Sequence, residues 1–209
     1  MMSLKRTIYI TIIASIAAVT LFTASILWNA FDDGVRMRVY SKLRQLQLAM
    51  SNYEFANHSL PNREVRAESG AITFSWMVEV LPYFERNELY ERIDLESGWN
   101  SDANRMAIQS SNDFWTWVCQ DGYFPCPIDS NVSVWNPETG VAKGFLNDNC
   151  DSIALVAVPI EQIHPLEPFS ISEVEMIQLL EGGERVFFID CCGNYGIVEL
   201  VSGVLSFNR

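Results

Sequence analysis

Between Thr7 and Phe31 the chain carries no charged residue, and the apolar run then passes into a segment with helical periodicity. Thr7 to Trp28, about 22 residues, would form a helix of roughly 33 Å, enough to cross a hydrocarbon core of about 30 Å. Its Thr and Ser hydroxyls are compatible with lipid because each can bond the carbonyl one turn back. Trp28 stands where an interfacial aromatic would stand. From Val35 the residues Val35, Val39, Leu43, Leu46, Met50 and Tyr53 are spaced by three or four, which predicts one apolar stripe. Arg36, Lys42, Gln45, Gln47, Asn52 and Glu54 are then expected on the solvated face.

A continuous helix from Thr7 to Ala56 would be about 75 Å long. Gly34 costs about 1 kcal/mol relative to alanine inside a helix, which allows a bend there. Asn57-His58 and Leu60-Pro61 end it, because the residue before proline disfavours helical angles. The organisation that follows is an N-terminus over residues 1–6, a membrane helix over 7–31, its amphipathic continuation over 32–57, and one globular domain over 58–209. The competing reading is a cleaved signal peptide with Lys5 and Arg6 as its charged start. The apolar run exceeds the usual 7–15 residues, and no small-x-small site follows it.

The formal charge is −12, and nothing in the sequence suggests a nucleic-acid binder. The one basic cluster, Arg36, Arg38, Lys42 and Arg44, borders the apolar run, where it suits either lipid headgroups or a solvated helix face. Counting basic residues near the span would place the domain in the cytoplasm, but long domains translocate largely regardless of such charge.

The remainder reads as short helices followed by an antiparallel sheet, an α+β domain. Helices are expected over Ala71–Leu81, from Asn87 to Ile93, and in a turn ending near Ile108. A strand is expected over Phe114–Val118. An irregular stretch follows from Pro125 to Asp151, with Asn136-Pro137 and Thr139-Gly140 as turns. Ser152–Ile160 reads as a strand. Ser170 to Glu173 reads as a capping box opening a helix that Gly182 ends. Arg185–Asp190 and Tyr195–Val201 read as strands joined around Gly193-Asn194, with a last strand at Val204–Phe207.

No phosphate-binding glycine loop, dinucleotide fingerprint, nucleophile elbow or zinc-helix motif occurs, so neither catalytic nor cofactor-binding residues are assigned. The two histidines are His58 and His164. A dyad of His164 with Cys150, Cys191 or Cys192 is conceivable, but nothing in the sequence brings them together. Asn147, Asp148 and Asp151 lack the alternating spacing of a calcium loop, and no metal is expected. The five cysteines, Cys119, Cys126, Cys150, Cys191 and Cys192, leave one unpaired in any oxidised form. Cys119 and Cys126 are close enough in sequence to staple a loop in an oxidising compartment. Trp115, Trp117, Tyr123 and Trp135 crowd one region and suit either a glycan- or peptide-binding surface or core packing.

The soluble region resembles a large family of pilin-like, or pseudopilin-like, proteins of unknown function abundant in planctomycete bacteria. Lys42 to Tyr53 with Leu60-Pro61, Ser75-Trp76 through Leu81-Pro82-Tyr83-Phe84-Glu85, and Leu89-Tyr90 follow that family's order. So do Asp94-Leu95 to Trp99-Asn100 with Asn104, Phe124-Pro125-Cys126-Pro127, Leu166-Glu167-Pro168, and Val186 to Asp190. The resemblance implies a pilin-like fold, with a long N-terminal helix packed on a small antiparallel sheet with short helices. It also implies a single-pass inner-membrane protein with its domain outside the cytoplasm, a placement that favours a Cys119–Cys126 bridge. The N-terminus departs from the family pattern. Arg6-Thr7-Ile8 replaces the prepilin cleavage site, and no glutamate precedes Phe31.

The expected role is accordingly structural or by protein contact, without catalysis. Membrane lipid and envelope proteins or other pilin-like subunits would be the partners, and no nucleic acid. A tethered domain binding glycan or peptide through its aromatic-rich middle is the alternative, with no small-molecule ligand specified.

Overall fold

In the computed structural model, which describes residues 2–136, 152–160 and 163–209, helix α1 runs from Met2 to Asn57 and passes through Gly34 as helix. The chain divides into two compact units, one up to Arg38 and one from Val39 to Arg209.

The first unit is helix alone. Ile13, Val19, Phe22, Leu27, Trp28 and Phe31 are all exposed. Thr20 donates to the carbonyls of Ile16 and Ala17, Thr23 to Thr20, and Ser25 to Phe22, at 2.8–3.1 Å. Each hydroxyl is thereby satisfied within the helix, as an apolar surrounding requires. The helix over Ile13–Asn57 is long enough to cross a membrane and contains an 18-residue stretch apolar enough to do so, with a mean hydropathy of 1.6.

The second unit is an α+β domain built around the last turns of α1. Val39, Leu43, Leu46 and Met50 are buried, as the stripe predicts. Lys42, Gln47 and Glu54, expected in solvent, are buried as well. The helix is wrapped over a wider arc than a single stripe, and the exposed arc is reduced to positions such as Arg44, Gln45, Leu48, Asn52 and Phe55. His58 adopts a left-handed φ of 58° and its N–H bonds the carbonyl of Glu54 at 2.8 Å, a turn that ends the helix.

Strands β1 (Glu64–Arg66) and β2 (Ile72–Ser75) pair as an antiparallel hairpin. The helix expected over Ala71–Leu81 therefore begins late. It appears as α2 (Met77–Val80) running into a 3-10 turn over Leu81–Phe84, where Pro82 sits in the first turn and removes no helical bond. Then come α3 (Asn87–Arg92), α4 (Asp102–Gln109) and α5 (Asn112–Val118). The last of these replaces the strand expected from its aromatic and β-branched residues. Phe114, Trp115 and Val118 fall on one helical face and are buried there, so tertiary packing overrides β propensity.

After β3 (Phe124–Cys126) and β4 (Ile128–Asp129) follow β5 (Ile153–Val158), β6 (Ile171–Ser172), α6 (Glu173–Glu181), β7 (Val186–Asp190), β8 (Tyr195–Val201) and β9 (Val204–Asn208). The main sheet has the order β3-β5-β7-β8-β9, antiparallel throughout. β4 and β6 form a two-residue parallel pair. The capping box of α6 uses Ser172 and Glu175, two residues later than expected. The Glu175 side chain accepts from the Ser172 N–H at 2.9 Å while Ser172 Oγ accepts from the Glu175 N–H at 3.2 Å. Gly182 closes the helix as expected. Gly196 at the start of β8 lies against the end of β9 with no room for a side chain, since a Cβ there would stand 1.8 Å from the Asn208 carbonyl oxygen.

The turn between β7 and β8 is organised by Asp190, which is fully buried. Its carboxylate accepts from the N–H groups of Cys192 and Asn194 at 2.9 Å, from Asn194 Nδ2 at 3.0 Å, and pairs with Arg209 at 3.2 Å. That turn meets α1: Gln47 Nε2 donates to the Cys191 carbonyl at 3.0 Å and Arg44 to that of Cys192 at 3.4 Å. Tyr40 adds ring contacts to Phe187 and Tyr195.

Candidate functional site

The structure disperses the four aromatics expected to share a surface. Trp135 is fully buried, packs against Trp76 at 6.1 Å, and donates its indole N–H to the Pro61 carbonyl at 2.9 Å. Trp115 is also buried and donates to the Ile108 carbonyl at 3.0 Å. Both are core residues with satisfied polar edges, which corrects their assignment as surface. Tyr123 is half-buried, edge-on to Phe187 at 5.0 Å. Trp117 lines an open pocket, and Tyr123 borders a much smaller one.

Several segments of the family-like pattern prove to be internal clamps. Ser75 Oγ donates to the Pro165 carbonyl at 2.6 Å, and the Ser75 N–H bonds the Leu166 carbonyl. Asn104 is wholly buried. Its amide donates to the carbonyls of Asp94, Ser97 and Gly98 at 3.0–3.3 Å and accepts from the Asp94 N–H at 2.8 Å. One side chain thereby closes the whole loop from Asp94 to α4. Glu79 accepts from the Asn62 N–H at 2.8 Å, and burial raises its carboxyl pKa. Burial, with the Glu79 charge second, pushes the Tyr53 hydroxyl up to about 12.

His164 stacks on Trp99, with ring centroids 5.1 Å and planes 9° apart, and meets Trp115 on another side at 5.1 Å. Its Nδ1 accepts from the Leu166 N–H at 3.1 Å. Burial in this aromatic slot lowers its pKa to about 4, so the ring is neutral at ordinary pH. Its ring neighbours among the described residues are Trp99 and Trp115. Cys150, the acidic trio Asn147, Asp148 and Asp151, and the turns at Pro137 and Thr139-Gly140 lie outside the described residues.

Cys119 and Cys126 are free thiols, so the expected bridge between them is not formed. Cys126 lies inside the apolar core and Cys119 packs against that core. Both serve as small hydrophobes, and burial pushes the Cys119 thiol up to about 11 and that of Cys126 higher. Cys191 is buried and outside any disulfide, whereas Cys192 is disulfide-bonded. The spacing of Cys119 and Cys126 was a misleading signal, because proximity in sequence does not turn two sulfurs toward each other.

The basic cluster is largely engaged by protein groups. Arg36 pairs with Asp33 at 2.6 Å, and Arg44 reaches the Cys192 carbonyl. Lys42 forms a buried pair with Asp121 at 3.4 Å, where Asp121 is held at a left-handed φ of 65°. Among the described residues no group of three His, Cys, Asp or Glu side chains could hold a metal ion.

Two surface features remain. The exposed arc of α1 presents Leu48 and Phe55, 54 % and 83 % exposed and two helical turns apart on one face. Beside α1, a pocket of about 350 Å³ is lined by Gln45, Phe84, Arg86, Asp113, Phe114 and Trp117. Its floor is a ring cluster: Phe114 and Trp117 stack with centroids 5.8 Å and planes 24° apart, and Phe84 closes on both at 5.7 and 6.0 Å. The Arg86 guanidinium lies 5.1 Å above the Phe114 ring, and its Nε is buried without a hydrogen-bond partner. Arg86 also borders a second, polar recess of about 520 Å³ lined by Glu85, Glu88, Arg92 and Ser110. Sequence reading reached Trp117 but missed Phe84, Arg86 and Phe114, whose convergence depends on the α5 helix that reads as a strand.

No curated protein and no solved structure matches the chain. Residues 36–155, beginning on α1 and extending into β5, match the family described as "Protein of unknown function (DUF1559)", and the chain belongs to that family.

Proposed function

We propose that this chain is a single-pass protein of the bacterial cell envelope, anchored in the inner membrane by the N-terminal part of α1. Its α+β domain would lie outside the cytoplasm and act structurally or by protein contact, without catalysis. The carrying observation is α1 itself. It is one unbroken helix whose residues from Ile13 to Phe31 expose apolar side chains with their hydroxyls internally bonded. From Val39 onward the same helix is a buried core element. That is the division of labour of a pilin-like helix, part for lipid and part for the domain.

The disulfide at Cys192 supports an oxidising compartment. Leu48 and Phe55, exposed on the arc that the domain leaves uncovered, support a protein-contact role for this helix face. The absence of a prepilin cut site and of an early glutamate favours a fixed anchor over a processed filament subunit.

The test is protease treatment of intact spheroplasts, with the amino terminus of the membrane-fraction protein read by mass spectrometry. The expected result is a domain digested from outside and a starting residue unchanged. A protected domain, or a soluble product beginning near Ser25, would sink the proposal.

A further inference from the structure

The pocket floored by Phe84, Phe114 and Trp117 and a polar recess share one wall residue, Arg86. We infer that the two act as one cleft that binds a neutral oligosaccharide, with one sugar ring stacked on Trp117 and the next hydroxyl-bonded in the recess. This goes beyond the anchoring reading and does not depend on it.

Four observations select the occupant. First, the ring faces are not equivalent. Phe114 is buried and carries the Arg86 guanidinium, while Trp117 is only partly covered and offers the face on which the C–H side of a pyranose can lie. Secondly, the flanking groups suit hydroxyls. Gln45 supplies an amide and Asp113 a carboxylate beside the rings, and Arg92, whose Nη1 bonds Ser110 Oγ at 3.3 Å, spans the recess. Thirdly, Arg86, which lines both recesses, has a buried Nε donor with no hydrogen-bond partner. An orphaned buried donor in a native site calls for an acceptor, which a sugar oxygen provides. Fourthly, the charges oppose the alternatives. Glu85, Glu88 and Asp113 outnumber Arg86 and Arg92 in the cleft, and the chain carries −12 overall, so a polyanionic glycan is repelled. The lining residues lie on helices and on the turns that join them, so there is no strand edge on which an extended peptide could pair.

The test uses the full chain in lauryldimethylamine oxide micelles, a detergent without a sugar headgroup. Chitotetraose, cellotetraose, maltotetraose and mannotetraose are titrated by calorimetry and by tryptophan fluorescence, with tetragalacturonate as the charged comparison. The inference expects at least one neutral tetrasaccharide to bind with a submillimolar Kd and tetragalacturonate to bind more weakly. Trp117→Ala should weaken binding about tenfold or more, and Arg86→Lys, which keeps the charge but removes Nε, should weaken it as well. Asp113→Asn, at an exposed position, provides a second reading should Trp117→Ala lose its fold, and is expected to alter the Kd. Failure of every neutral sugar to bind at millimolar concentration overturns the inference. So does tighter binding of tetragalacturonate, or a Kd unmoved by the cleft variants that fold.

Discussion

Two aromatic regions of one domain put the same residue types to opposite uses. Around Trp76, Trp115 and Trp135, every ring is buried and the indole edges of Trp115 and Trp135 are bonded to backbone carbonyls. Around Phe84, Phe114 and Trp117, the rings stack on one another but border a pocket, and the arginine among them keeps an unbonded nitrogen. In the first region the Trp115 and Trp135 indole edges are met within the chain, so these rings are there for stability. In the second the rings are left bordering a pocket. Aromatic density alone does not separate core from surface; the exposure of the rings and the bonding of the indole edges do.

The sharpest way to break this contrast is to truncate a locked ring. Trp135→Ala removes a fully buried side chain and orphans the Pro61 carbonyl, and is expected to cost about 3–5 kcal/mol in denaturant unfolding of the domain. Asn104→Ala leaves three loop carbonyls and an N–H without their partner, and should cost about 2–3 kcal/mol by the same measurement.

The His164 slot gives a pH signature. Its folded pKa is lowered from 6.5 to about 4, so the unfolded state takes up its proton first. The stability it contributes is present above about pH 6.5 and is lost as pH falls toward 4, by about 2–3 kcal/mol. Glu79 acts with the opposite sign. Its raised carboxyl pKa contributes stability at acid pH that is lost as pH rises through the folded value. A His164→Gln variant followed by thermal melts across this range should flatten the histidine component and leave that of Glu79. The smallest effect belongs to the open region, where Trp117→Ala should change stability by less than about 1 kcal/mol. A larger loss would place Trp117 with the locked rings.

Much of this fold is legible from local pattern. The long helix, the strand at Ile153–Val158 and the meander from Val186 to Asn208 follow from apolar periodicity and the Gly193-Asn194 turn. What escapes is decided by distant partners. Lys42 and Gln47 belong in solvent by spacing, yet they are buried because Asp121 and the Cys191 carbonyl, 79 and 144 residues away, receive them. Ile72–Ser75 reads as helix because its partner strand across the turn at Gly70 is only three residues long. The cleft was half legible. Trp117 stood out, but Arg86 carries no local signal of being left without an acceptor.

The contact between α1 and the β7–β8 turn has a consequence in time. Arg44 and Gln47 bond carbonyls 148 and 144 residues further along the chain. During synthesis the helix is made early, and the turn that caps it arrives only with the last strands. Closing so long a loop is slow, and the apolar flank of the helix waits uncovered in the meantime. A nascent chain of this kind depends on whatever shields that flank until its C-terminal hairpin emerges, so its yield should respond to chaperone supply more steeply than its final stability would suggest.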